Sequence, residues 1–204
     1  MTEAEWLASD KLDQLVLSGA DDDVDDRRWR LYACACCRLI PEFMASPPDV
    51  ECLRLAELEA DALPGSMEIE YPTDDEWDIR WHRRHPLTRS IAHRAITAYR
   101  DEKCALQPDI EWADTRIDEP LLALLRDIFG NPFRPVAFDG VWRTSTAVAL
   151  ARGMYESRDF GPMPILADAL QDAGCENEEV LGHCRGGGPH VRGCWVVDLV
   201  LGKE

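Results

Sequence analysis

Along most of this chain, apolar residues recur at three- and four-residue steps, in short runs that each end at glycine or proline. That rhythm fits short helices joined by tight breaks. The clearest run is 27–44, where Trp29, Tyr32, Ala33, Cys36, Cys37 and Ile40 share one side. Ser46-Pro47-Pro48-Asp49 stops it and starts the next helix, over 50–63, with Leu53, Leu55, Ala56, Leu58 and Ala62. Pro64-Gly65 closes that one. Further on, LLALLRDIF over 121–129 ends at Gly130-Asn131-Pro132, where glycine suits a C-cap and proline forbids continuation. Thr144 and Ser145 are placed to cap a helix over 146–157. Another spans 163–173 and closes at Gly174. The predicted fold is all-α: an irregular multi-helix bundle of short antiparallel helices.

The first residues add a smaller element. Thr2 and Glu5 have the spacing of a capping box, so a helix is expected over 2–17, with Trp6, Leu12, Leu15 and Val16 inward. Between the two strong helical blocks lies QPDIEWADTRIDE, which is polar and aperiodic. The expected organisation is an N-terminal helical half, 1–107, a linker, 108–119, and a C-terminal helical cassette, 120–204, packed as one body. Val136, Phe138, Val141 and Trp142 read as an extended segment lying on the core.

Bulk chemistry narrows the function classes. The chain has 204 residues and a formal net charge of −17. So acidic a surface repels phosphate backbones, so no nucleic-acid role is expected. Its one basic run, RWHRR at 80–84, follows Asp74, Asp75, Glu76 and Asp78 and reads as a self-neutralised face. The start, MTEAEWLASD, lacks the basic and apolar regions of a signal peptide. No apolar run reaches the ~18 residues of a membrane span. A cytoplasmic protein is therefore expected, with no membrane role. There its eight cysteines stay reduced. Asp21–Asp26 lacks the alternation of a calcium loop and reads as a solvated helix start. Cys34 and Cys37 form a C-x-x-C pair, but with no activating neighbour they read as packing residues. His82 and His85 have metal half-site spacing, but Pro86 breaks the geometry. His93 belongs to the helix that follows.

The chemistry-bearing residues concentrate near the end. Asn177 is placed to cap a short helix, 178–183, and GGGP at 186–189 breaks the chain. The spacing of Val191, Cys194, Trp195, Val197, Val200 and Leu201 predicts a buried helix over 190–201, closed by Gly202. A strand is the alternative, since Val and Trp favour one. Cys175, Cys184, His190 and Cys194 fall in one window, with His183 as a spare. Zinc takes four thiolate or imidazole ligands in a tetrahedron, so these four are the candidate metal ligands. Their spacing, C-x8-C-x5-H-x3-C, is not that of a standard knuckle. Arg185 and Arg192 beside the glycine amides are the candidate anion-binding residues. Cys184 or Cys194 with His190 is a nucleophile pair on paper only. Packing cysteines and backbone-bonded histidines are the baseline against which these readings stand, with Arg185 and Arg192 paired to Asp168, Asp172 or Asp198.

MTEAEWL, RLYACACCRLI, LLRDIFGNPFRP and LADALQDAGCENEEVLGHCRGGGPHVRGCWVVDLVLGKE resemble a large uncharacterised bacterial paralogous family. Its mark is the C-terminal cassette, which recurs on otherwise different bacterial proteins. The family has no established activity, so the resemblance implies a bacterial origin and a mobile module, not a mechanism.

With no assembled catalytic constellation and no cofactor fingerprint, the expected function is a non-enzymatic protein-interaction or regulatory module, with no cofactor required. Trp77 and Trp81, a turn apart beside an acidic stretch, are the candidate partner-binding residues. The alternative is a zinc-binding structural or catalytic unit built on the C-terminal Cys/His residues.

Overall fold

The computed structural model describes residues 1–12, 15, 26–39, 45, 47–62, 96–97, 99–101 and 118–203. Among these, all regular structure is helical and no strand occurs, so the fold is all-α. No described helix is long and apolar enough to cross a membrane. Trp77, Trp81, His82, His85, His93 and the carboxylates at 21–25 lie outside the described residues. So does most of the expected linker.

The chain forms two compact units, Met1–Leu125 and Arg126–Glu204. The first begins with α1, Glu3–Ala8. Its capping box forms as the sequence predicts: the Thr2 hydroxyl accepts from the Glu5 amide, and the Glu5 carboxylate accepts from the Thr2 amide. The helix is shorter than the 2–17 expected. Trp6, Leu12 and Leu15 are nevertheless buried.

Helices α2, Asp26–Arg38, and α3, Pro47–Asp61, pack together. Cys34, Cys52, Leu53 and Ala56 form an apolar cluster between them. Arg27 reaches Asp61 at 2.9 Å and Arg38 reaches the buried Glu57 at 2.7 Å. Leu31 and Ala35 are buried along with Trp29, Tyr32 and Cys36, so α2 is enclosed on more than the one face its periodicity suggests. Small side chains at Ala33, Cys34 and Ala35 permit that enclosure. The Tyr32 hydroxyl donates to the Leu121 carbonyl at 3.2 Å. Arg100 and Asp118, both buried, face each other in a two-point ion pair, with Arg100 Nε 2.8 Å from Asp118 Oδ1. That is the arrangement a buried guanidinium needs.

Helix α4, Glu119–Phe129, crosses the boundary between the units. The second unit continues with a 3-10 turn, Gly140–Trp142. Then come α5, Ser145–Ser157; α6, Met163–Asp172; α7, Glu178–Arg185; and α8, Trp195–Leu201. α6 packs on α5 and α7, and α8 on α5 and α7. Leu166, Leu170, Val180, Val196 and Val197 are inaccessible at the centre. The predicted caps are present. The Thr144 hydroxyl accepts from the Ala147 amide, and the Asn177 side chain accepts from the Glu179 and Val180 amides.

Two local expectations change. The segment 136–142 is not simply extended: Asp139 caps the Gly140–Trp142 turn, which leaves Val141 exposed while Phe138 and Trp142 pack on the core. The predicted helix over 190–201 begins only at Trp195. Gly193, at φ +95°, breaks the backbone path, and the Cys194 amide donates to the Val191 carbonyl in a tight turn. That break frees His190 and Cys194 from helical geometry.

Candidate metal centre

Four side chains from three segments of the second unit converge. Asp127 comes from the last turn of α4, and His183 from the last turn of α7. His190 comes from the loop after α7, and Cys194 is the residue just before α8. One donor atom from each lies within 4.8 Å of every other.

Asp127 Oδ1 is 2.8 Å from His190 Nδ1 and 3.1 Å from His183 Nε2. Cys194 Sγ is 3.2 Å from His183 Nε2 and 4.0 Å from His190 Nδ1. The same imidazole nitrogen of each histidine, and the same carboxylate oxygen, serve every one of these contacts. A nucleophile–base–acid relay needs the two nitrogens of one ring to face opposite partners. Here one nitrogen of each ring, one carboxylate oxygen and one sulfur cluster within 4.8 Å of one another, a grouping suited to metal ligation. Bonds of about 2.0–2.3 Å to zinc give tetrahedral edges of about 3.3–3.6 Å. The observed spans straddle that range.

The surroundings hold Asp127 and His183 in place. Asp127 Oδ2 accepts from the Val191 amide at 2.9 Å, leaving Oδ1 for the centre. The His183 ring lies edge-on to His190, with centroids 4.8 Å apart, and tilts against Trp195 at 5.1 Å. Trp195 in turn sits on Gly130, where a Cβ would meet its ring at 3.1 Å. Partners of this kind fix ligand geometry in metal proteins.

The electrostatics follow from burial and pairing. Burial pushes the Asp127 carboxyl up, but hydrogen bonds from His183 and His190 outweigh it and hold it below the usual carboxylate range. Burial pulls His190 down, yet its bond to Asp127 more than compensates, so it is raised. Burial, and then the Asp127 charge, push the Cys194 thiol well up, against the opposing amides of Val197 and Val196. A thiol held in its neutral form is a poor nucleophile; a cation at the centre would favour its thiolate.

Of the four candidate ligands read from the sequence, His190 and Cys194 belong to this group, while Cys175 and Cys184 lie outside it. Both of the latter are inaccessible in the apolar core. Consecutive helical residues point about 100° apart, so His183 and Cys184 do not face one centre. Burial takes the Cys184 thiol up to about 12. His183, the spare, and Asp127, unnamed in the sequence reading, complete the set. Asp127 was findable: it stands three residues after Leu124 and one before Ile128, a charge inside a run that buries Leu121, Leu124, Leu125 and Ile128. A carboxylate at a buried periodic position needs a partner.

The candidate anion residues do not converge on the glycine loop. Arg185 donates to Asp168 at 3.1 Å and to Gln171 at 2.7 Å. Arg192 lies over the Tyr155 ring at 4.5 Å. The Gly186 amide closes α7 by donating to Gly182 and His183 carbonyls. Arg185–Asp168 is one of the pairings expected for a purely structural role.

No protein-family model, no curated protein and no solved structure matches the chain.

Proposed function

We propose that the second unit is a non-catalytic zinc-binding module, with Asp127, His183, His190 and Cys194 as ligands. The observation that carries this is the convergence of one oxygen, two imidazole nitrogens and one sulfur on a single point. Two neutral imidazoles with one carboxylate and one thiolate balance a divalent cation. Nitrogen and sulfur donors favour zinc over magnesium or calcium, which take oxygen. Four protein ligands complete a tetrahedron and leave no position for a substrate, as in structural rather than catalytic zinc sites. The non-enzymatic character expected from the sequence is kept. A partner-recruiting role through Trp77 and Trp81 would sit beside this one and is tested separately by pull-down with both residues replaced.

Elemental analysis of the purified chain, with cobalt substitution, tests the proposal. About one zinc per chain is expected, and cobalt should give the visible bands of a tetrahedral thiolate site. Asp127→Ala, His190→Ala and Cys194→Ser should each remove them. A chain that takes up neither ion sinks the proposal.

A further inference from the structure

The structure points to something more specific, resting on the zinc reading above. We infer that this is an exchangeable metal site, filled and emptied without unfolding, and that His183 is the ligand through which the ion passes.

In small zinc domains the ion stands in for a core, and removing it unfolds the chain. The second unit is built otherwise. Its centre is apolar and closed, with Leu166, Leu170, Val180 and Val197 inaccessible. Several of its helix ends are capped by its own groups: Thr144 and Asn177 at the N-termini of α5 and α7, and a left-handed Gly202 after α8. None of these contacts requires an ion.

The ligands are also held by bonds unrelated to a metal. The Val191 amide fixes Asp127, the turn from Val191 to Cys194 fixes the sulfur, and Trp195 backs His183. The separations of 2.8 Å and 3.1 Å from Asp127 to the two histidines are hydrogen-bond lengths as well as near ligand–ligand spans. Protons can therefore keep the same groups together when no ion bridges them.

Access is unequal. The side chains of Asp127 and His190 are 3% and 8% exposed, and Cys194 is 0% exposed, whereas the His183 side chain is 19% exposed. His183 stands at the end of α7, next to the loop with Gly187 and Gly188, where a Cβ would meet open space. An ion reaching the centre meets His183 first, and leaves by losing it. A preformed, one-sided site of this kind suits reversible zinc loading, hence response to zinc supply rather than permanent stapling.

The test uses the full chain, first loaded with zinc and then stripped with a chelator in the absence of denaturant. The stripped chain should keep its helical circular dichroism, its near-ultraviolet tryptophan signal and a cooperative melt. It should then take back one zinc and recover the loaded Tm. His183→Ala should release zinc faster and bind it more weakly, because only three protein ligands then hold the ion. His190→Ala should abolish binding. A wild-type chain that binds no zinc at the outset removes the underlying zinc reading. Zinc that binds but cannot be stripped without denaturant, or stripping that abolishes the near-ultraviolet signal and the cooperative melt, overturns the exchange inference alone. Equal losses in His183→Ala and His190→Ala overturn the role given to His183.

Discussion

Both units bury cysteines, yet they use them differently. In the first, Cys34 and Cys52 sit among Leu53 and Ala56, and Cys36 lies beside Tyr32. Burial drives the Cys34 and Cys36 thiols well above their ordinary range. In the second, Cys175 and Cys184 are likewise core residues, while Cys194 alone meets two imidazoles and a carboxylate. Thiol density is therefore a poor guide to chemistry. A mixture of donor types from separate segments, aimed at one point, marks a site. In the described part of the first unit, the carboxylate beside Cys34, that of Glu57, is occupied with Arg38.

The sharpest way to break this contrast is to remove Asp127. Asp127→Ala strips both histidines of their shared acceptor and removes a ligand. Loss of one partner in a buried pair costs on the order of 3–5 kcal/mol. Urea unfolding with a chelator present should show a cost of that order, and zinc content should fall to background. A stable, zinc-loaded variant would place the site elsewhere. The matched control is Cys36→Ser in the first unit, which should destabilise by roughly 1–3 kcal/mol because a hydroxyl replaces a buried thiol and must be desolvated. Zinc content should not change.

That contrast also shows what could be read without the structure. Helix identity was legible because periodicity and caps agree: Thr2 with Glu5, Thr144 with Ala147, and Asn177 with Val180 all behave as their spacing implies. His190 and Cys194 were legible as candidates because they lie in one window. Asp127 is legible only as a buried charge in need of a partner; that the partner is His190 is a long-range event that no local pattern encodes. Cys184 was a false lead for the opposite reason. Sequence proximity placed it near the site, and helical rotation turned it into the core. The pattern over 190–201 predicts a helix from 190 but carries no trace of the positive φ at Gly193, so α8 starts only at Trp195.

A smaller perturbation probes the support behind the ligands. Gly130 adopts φ +62° and lies under Trp195. Gly130→Ala introduces a Cβ into a left-handed conformation, costing about 1–2 kcal/mol, and crowds the indole at 3.1 Å. Because Trp195 backs His183, zinc affinity should fall modestly while helicity is retained. Titration with zinc followed by tryptophan fluorescence measures the affinity, and far-ultraviolet circular dichroism measures the helicity. Unchanged affinity would mean that the ring does not position the ligand.

The smallest expected effect is one of sign. His190 is raised above 6.5 in the folded chain, so its contribution to stability is full below that value and lost as pH rises through its folded-state value. Asp127 is lowered below 3.8, so its contribution is full above that value and lost as pH falls through its folded-state value. For the metal-stripped chain this pair therefore contributes most between 3.8 and 6.5. Raising the pH from about 6 to about 9 should lower the stripped chain's Tm by a few degrees. The zinc-loaded chain should move the other way, because protons compete with zinc for His190 and Cys194 and that competition fades as pH rises. Two melting series, with and without zinc, should diverge over this interval. Parallel series would mean that these four groups bind protons but no ion.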